Sequence, residues 1–406
     1  MTAPSVAVLG TLDTKQAEVG YLRDTLISMG ARVLVLDAGI LGETTLEADV
    51  SNERLAAAAG TQLAKLIRRK DRSGALTAMG RGAGRFLLDL IATGDCDGVV
   101  AIGGSGGTAI AVAAFSGLPF GLPKVLVSTQ VASSPSLLVG HSDVVLVPTV
   151  ADLAGVNRIT SRVLTTAAGA VFGAIAAPEV PVSNANLVFA TMIGLTTQGV
   201  EMARRAVEAA GVEVITFHAT GAGGSALEHL VGPMRVKGML DLTTIEIADE
   251  VVGGVKSAGP NRLLEAGRRG VPQVVATGGV DMVRFGPMST VPEEFRGRVL
   301  HQHTEFVTLM RTTPEENEKI GRTIGERLTQ ATGPVYLIVP TSGTSALSTE
   351  GGVFHDPEAD AALFESLEDS ADDSVDLVWV HADVNSEKFA MRAAEILMNE
   401  LDRNPS

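Results

Sequence analysis

Short apolar runs rich in Val, Ile, Leu and Ala recur along the chain. Each closes on glycine, hydroxyl or acidic residues and is followed by a stretch with helical spacing. Residues 5–9, 32–36, 99–102, 124–128 and 144–147 have the length and β-branching of buried strands. Two prolines, Pro178 and Pro181, then interrupt the pattern, and it restarts with strands over 186–190, 213–217, 273–276, 335–339 and 375–380. Between the strands the spacing predicts helices, among them one ending at Met29, one over 52–70, one over 83–93 behind a glycine-rich turn at 80–84, one ending near Ala177 and a last one ending near Leu401. Residues 241–246 read as a helix start capped by Asp241 or Thr243. Alternating strands and helices predict α/β architecture, here two α/β domains, each with its own mainly parallel sheet. Domain boundaries of 1–181 and 182–406 follow from the proline break. The two halves also align as an internal repeat, in which Gly30 falls on Gly211 and Asp37 on His218.

Composition narrows the function classes. The 406 residues carry 32 Lys and Arg against 47 Asp and Glu, a formal charge of −15, which argues against a nucleic-acid backbone as partner. A single cysteine, Cys96, leaves no intrachain disulfide and fits a reducing, cytoplasmic compartment. The N-terminal residues lack the pattern of a signal peptide, and no apolar run is long enough for a membrane span.

The strongest chemical signal follows the third strand, where Gly103, Gly104, Ser105, Gly106, Gly107 and Thr108 lead into a helix. Glycines let backbone N–H groups approach a phosphate, and the helix N-terminus adds its positive dipole end. The first half opens strand–turn–helix–Gly–strand–Asp, the order of a dinucleotide-binding half, but without G-x-G-x-x-G in its first turn. Asp37 could hold a ribose hydroxyl or cap the next turn. Thr11, Asp13 and Thr129 join the glycine loop by strand order. No Walker A pattern occurs.

In the second half, polar or glycine-rich turns close four strands. Candidate acid–base groups are His218, His303 and Asp281. Candidate substrate contacts are Gly223, Gly224, Ser225, Ser342, Gly343 and Ser345, with Arg311 as a carboxylate clamp. His301, His303 and Glu305 have metal-ligand residue types but no further ligand motif, so no metal is expected. Asp356, Pro357 and Glu358 read as a helix cap and first turn.

Seven segments in order carry a family resemblance: Gly10-Thr-Leu-Asp-Thr-Lys15, the Gly-Gly-Ser-Gly-Gly-Thr loop, Asp152 to Asn157, Asp241-Leu-Thr-Thr-Ile-Glu246, Asp281-Met-x-x-Phe-Gly286, Thr308-Leu-Met-Arg-Thr312 and Phe354-x-Asp-Pro-Glu-Ala-Asp360. The chain resembles the UPF0261 family of Tm-1-like ATP-binding proteins over nearly its whole length. The resemblance implies two Rossmann- or flavodoxin-like doubly wound domains with mainly parallel sheets, and ATP, with Mg, on the N-terminal one at the Gly103 loop beside Thr11 and Asp13. It implies self-association as a homodimer or larger homo-oligomer. It also implies a TIM-barrel partner resembling phosphoenolpyruvate hydrolase. The family pattern differs at Arg284, Thr304 and Ser386, all in the second half. Two functions stay open: an ATP-dependent enzyme acting on a small acidic metabolite, and a non-catalytic, nucleotide-dependent protein-binding module like the plant member. A third, an NAD-linked or sugar-converting enzyme, is permitted by Asp37 and disfavoured by the first turn.

Overall fold

The structure, a computed structural model, describes residues 3–42, 44–133, 138, 143–178 and 185–403. The chain divides into two compact units, Met1–Pro181 and Val182–Ser406. Of the proline break, residues 179–181 lie outside the described residues.

The first unit holds five parallel strands: β1 (Ser5–Gly10), β2 (Arg32–Asp37), β3 (Gly98–Gly103), β4 (Lys124–Ser128) and β5 (Val145–Pro148). Their order is β2-β1-β3-β4-β5. β1 and β3 are buried along their whole length, as unbroken Val/Ile/Ala runs require of central parallel strands. Two apolar clusters cover the two faces. One contains Leu9, Met79, Leu87 and Ile110; the other contains Leu22, Leu26, Leu164 and Val171. In this order the chain reverses direction across the sheet between β1 and β3, so the carboxyl ends of those two strands flank the crevice where doubly wound folds bind ligands.

Two helix expectations in this unit are corrected. The stretch over 52–70 is two short helices, Asn52–Ala58 and Leu63–Arg68, separated at Gly60, whose φ of 77° is left-handed. The glycine-rich segment 80–84 is no turn, but lies inside one long helix, Arg72–Ala92, capped by Asp71. Its glycines serve close packing. A Cβ at Gly80 would lie 2.6 Å from the Ile110 carbonyl, one at Gly84 would lie 2.8 Å from that of Ala114, and one at Gly82 would collide with that of Leu55.

The second unit contains β6 (Leu187–Met192), β7 (Glu213–His218), β8 (Gly238–Thr243), β9 (Gln273–Gly278), β10 (Met282–Phe285), β11 (Leu300–Thr304), β12 (Val307–Arg311), β13 (Val335–Pro340) and β14 (Val375–Val380). Six of these form a parallel sheet in the order β14-β13-β9-β8-β6-β7. In chain order its first five strands, placed β7-β6-β8-β9-β13, repeat the topology of the first unit, and β14 adds a sixth at the edge. Gly30 and Gly211, which the repeat aligns, both have left-handed φ, 94° and 84°, behind their helices. Between β9 and β13 the chain inserts a small antiparallel sheet, β10-β12-β11.

The reading of residues 241–246 as a helix start is also corrected. Asp241 lies within β8, and the helix begins only at Ile245. Asp241 is there as a buried counter-ion. Its carboxylate receives Arg262 Nη1 at 2.5 Å and Nη2 at 2.6 Å, while Arg262 Nε reaches Glu246 at 2.8 Å.

Candidate functional site

At the crevice between β1 and β3 lies a cleft of about 150 Å³, lined by Thr11, Asp13, Thr14, Lys15, Ile40, Leu41, Arg72, Leu76, Gly104, Ser105, Gly106 and Gly107. Two helices begin there. Leu12–Ser28 follows β1, and Ser105–Phe115 follows β3 with Gly104 at its N-cap. The first intrahelical bond of the second helix is donated by Thr108 N to Gly104 O. The N–H groups of Ser105, Gly106 and Gly107 therefore precede the helical ladder and are the orphan donors of this N-terminus.

The four loop glycines are not equivalent. A Cβ at Gly103 would lie 2.6 Å from Gly107 Cα, and one at Gly107 would lie 3.1 Å from Ile102 O. Those two let the loop close tightly on its own helix. A Cβ at Gly104 would meet nothing within 4 Å. One at Gly106 would make only ordinary contacts, the nearest with Arg72 at 3.6 Å. The fold itself therefore does not demand glycine at these two positions, and both line the cleft.

Charge around the cleft is unequal. Arg72 is exposed and makes no ion pair among the described residues. Lys15 is held by the Leu153 carbonyl and lies 4.0 Å from Glu18. Asp13 Oδ2 accepts from Leu41 N at 2.6 Å, whereas its buried Oδ1 has no partner among the described residues.

Thr11, Asp13, Gly104, Ser105, Gly106 and Gly107 thus share one cleft wall. Gly103, Thr108, Asp37 and Thr129 stand outside that lining. Thr108 is buried, its hydroxyl 2.6 Å from that of Ser128. Of the two roles open to Asp37, the structure shows the cap: its Oδ1 accepts from Leu12 N at 3.0 Å and Gly39 N at 2.8 Å, and burial raises its pKa. Sequence reasoning missed Thr14, Lys15, Ile40, Leu41, Arg72 and Leu76. Arg72 was hidden by the misplaced start of its helix, although Asp71 three residues before Gly74 is a legible cap signal.

The corresponding crevice of the second unit, between β6 and β8, is filled by the chain itself. The Thr196 and Thr243 hydroxyls pair at 2.8 Å, and Ala346 N and Asn385 Nδ2 both donate to Leu195 O, at 3.1 and 2.9 Å. Ile193, Ile245, Met282 and Phe354 pack there as an apolar cluster. The helix Ala222–Leu230 is likewise occupied at its start: Glu246 Oε1 accepts from Gly221 N at 2.6 Å and Gly224 N at 3.1 Å. A Cβ at Gly223 would collide with the His218 carbonyl, and one at Gly224 with Glu246. These glycines make room for protein groups, and Glu246 supplies the anion that a substrate was expected to bring. Ser225 N bonds Gly221 O within that turn.

Asp281 and Ser345 do come together. Ser345 Oγ donates to Asp281 Oδ2, and Thr344 Oγ1 to Oδ1, each at 2.8 Å. Both residues are buried, and desolvation raises the pKa of Asp281. Arg311 is buried too, and Nη2 reaches Asp360 Oδ1 at 2.6 Å. His218 lies exposed at the end of edge strand β7, and His303 lies exposed on edge strand β11. Neither belongs to the Asp281 group. Gly343 has φ 138° and turns the loop behind β13. Ser342 lines a second cleft, of about 300 Å³, with Thr341, Ser348, Glu350, His355 and Asp360 among its walls.

Arg284, Thr304 and Ser386, where the resemblance implied departures, each have local work. Arg284 is buried against Asp249 at 2.5 Å, and Ser386 Oγ accepts from Phe389 N at 3.3 Å at the start of the last helix. Thr304 ends β11, and its Oγ1 accepts from Phe306 N at 3.2 Å.

A pair of doubly wound α/β units, one with an open glycine-lined helix-terminal cleft and one with that crevice filled, defines the class of protein. The chain belongs to the UPF0261 family. The model described as "Uncharacterised protein family (UPF0261) N-terminal domain" matches residues 4–180, and its C-terminal counterpart matches residues 185–401. A UPF0261 protein of Clostridium tetani is 43% identical over 401 residues, covering 98% of this chain and 99% of that protein. The tomato protein named "ToMV susceptible protein tm-1(GCR26)" is 35% identical over 390 residues, covering 90% of this chain and 51% of that protein. Among solved structures, the glycosyltransferase SnogD from Streptomyces nogalater aligns over 98% of this chain and 100% of its own, at 13% identity and a TM-score of 0.24.

Proposed function

We propose that the first unit binds ATP, with its phosphates on the N–H groups of Ser105, Gly106 and Gly107. The observation that carries this reading is the freedom at Gly104 and Gly106, where a side chain would fill the cleft without disturbing the fold. Backbone donors at a helix N-terminus and the guanidinium of Arg72, unpaired among the described residues, suit a polyphosphate despite the chain's net charge of −15. Ile40, Leu41 and Leu76 offer apolar surface beside it. Asp13, with one oxygen unpartnered among the described residues, is the carboxylate that would meet Mg arriving with the nucleotide. The capping role of Asp37 Oδ1, on a buried side chain, speaks against the ribose contact that an NAD reading would use. The second unit then acts on a small acidic metabolite at the cleft behind β13.

Calorimetric titration with MgATP tests the nucleotide site. Wild type binds, Gly106→Val keeps its circular dichroism and loses binding, and NAD binds much more weakly. Unchanged ATP affinity in folded Gly106→Val overturns the assignment.

The second reading, a nucleotide-dependent binding module without chemistry, draws support from Asp281 and Ser345. They are buried and satisfied by protein groups, apart from His218 and His303. Incubating ATP with candidate acids separates the readings, because only the enzyme forms product.

A further inference from the structure

Arg311 ends β12 deep in the second unit, and its guanidinium is held unevenly. Nη1 donates to Thr312 Oγ1 at 2.9 Å and Asp281 O at 3.3 Å. Nη2 donates to Asp356 O at 3.2 Å and Asp360 Oδ1 at 2.6 Å. Nε is buried and has no partner among the described residues. A planar fork suited to bidentate carboxylate recognition is therefore met at a single carboxylate oxygen. Asp360 lines the cleft of about 300 Å³ behind β13, whereas Arg311 stands outside that lining. The Asp360 carboxylate, 17% exposed, touches both the cleft and the buried cation.

We infer that Asp360 is a built-in competitor for the ligand of this cleft: a small carboxylate entering it takes the Arg311 guanidinium, and Asp360 gives way as a neutral acid. The inference rests on the acidic-metabolite reading and names how the site is regulated. The proton balance is simple. One carboxylate replaces another on the cation, and the displaced carboxyl takes one proton from solvent. Asp360 is prepared for this, since burial raises its pKa to about 6, against the lowering effect of Arg311. The groups facing it from neighbouring elements are Arg311 on β12, Asp281 behind β9 and Asp356 before its own helix. His355 and Glu350 stand on the cleft wall. Glu350 opposes an incoming anion. The start of the helix Pro357–Ser370 favours one. Asp281 and Asp360 both face the single charge of Arg311, so protonation of Asp360 relieves the repulsion between them.

The test uses formate and sulfate, which keep their charge over the pH range used. NMR titration of the full chain follows the His355 ring on the cleft wall. Formate binding should strengthen on the order of tenfold from about pH 7.5 to about pH 5.5. In Asp360→Asn the affinity at the higher pH should match that of wild type at the lower, with the pH dependence gone. Arg311→Lys in that background should lose the formate response. Sulfate binding as well as formate extends the ligand class to tetrahedral anions, whereas formate alone fixes it as planar carboxylates. Asp360→Asn binding no better than wild type at the higher pH overturns the inference, whatever the fate of Arg311→Lys. A parallel MgATP titration keeps this result separate from the nucleotide reading.

Discussion

Arg262 Nη2 and Asp241 Oδ1 lie 2.6 Å apart, with the arginine side chain wholly shielded from water. The same guanidinium also meets Glu246 at 2.8 Å and Glu228 at 3.3 Å. A charge so buried is tolerable only while its partners remain. The cluster joins β8, the helix behind it and the segment before β9, so it fixes the geometry behind the filled crevice.

Arg262→Met should therefore destabilise the second unit by about 3–5 kcal/mol, because three carboxylates would lose their shared cation. Urea unfolding at neutral pH measures this. A loss within about 0.5 kcal/mol, the range of an ordinary surface change, contradicts the role.

The glycines give a contrast in both directions. Gly82→Ala sets a methyl against the Leu55 carbonyl and should cost about 1–3 kcal/mol, or more if the helices must part. Gly104→Ala enters open space and should leave the unfolding midpoint almost unchanged while weakening ATP binding. Equal stability losses in the two variants would remove the distinction between packing and cradle glycines.

Much of this was legible in the sequence because strand runs in parallel sheets are nearly all apolar and their punctuation is glycine. β14 occupies the predicted residues 375–380, and Asp356 and Pro357 cap and open their helix as their types imply. The failures share a cause. Gly80, Gly82 and Gly84 resemble a turn locally, but they are small because other backbones press on them. Asp241 resembles a cap, but it pairs with an arginine 21 residues away. Gly223 and Gly224 repeat the look of the Gly103 loop, and only the position of Glu246 shows that the anion there is internal. Long-range partners decide each case, and a local pattern does not contain them.

Asp360 also predicts a pH dependence of stability. Its folded pKa of about 6 lies above the ordinary 3.8, so the native state holds this proton more tightly than the unfolded chain. Stability from this group is therefore full below about pH 4 and declines as the pH rises toward 6. The difference in unfolding free energy between wild type and Asp360→Asn should fall by about 1–3 kcal/mol across that window and then level off. A difference that rises with pH would mean that the Arg311 pair outweighs desolvation.

The last prediction concerns independent folding of the first unit. Both apolar clusters of its sheet draw their buried members from residues 6–171 only. The helix Thr160–Ala176 covers one face, with Leu164, Ala167, Ala168 and Val171 buried. Every strand of the sheet and both helix starts at the glycine cleft lie within residues 5–148. A fragment of residues 1–181 thus retains its complete core, and a chain of that size can bury enough apolar surface to fold. It should express as a soluble protein, unfold cooperatively in urea, and bind MgATP within a few-fold of the full chain's affinity. Cys96 reports on the same core: the thiol is buried, desolvation raises its pKa, and its Sγ donates to Gly98 O at 3.3 Å. It should resist a thiol reagent in the native fragment and react only on unfolding. A fragment whose Cys96 reacts at once in buffer lacks this core. A folded fragment that has lost ATP would show that the nucleotide site needs residues beyond 181.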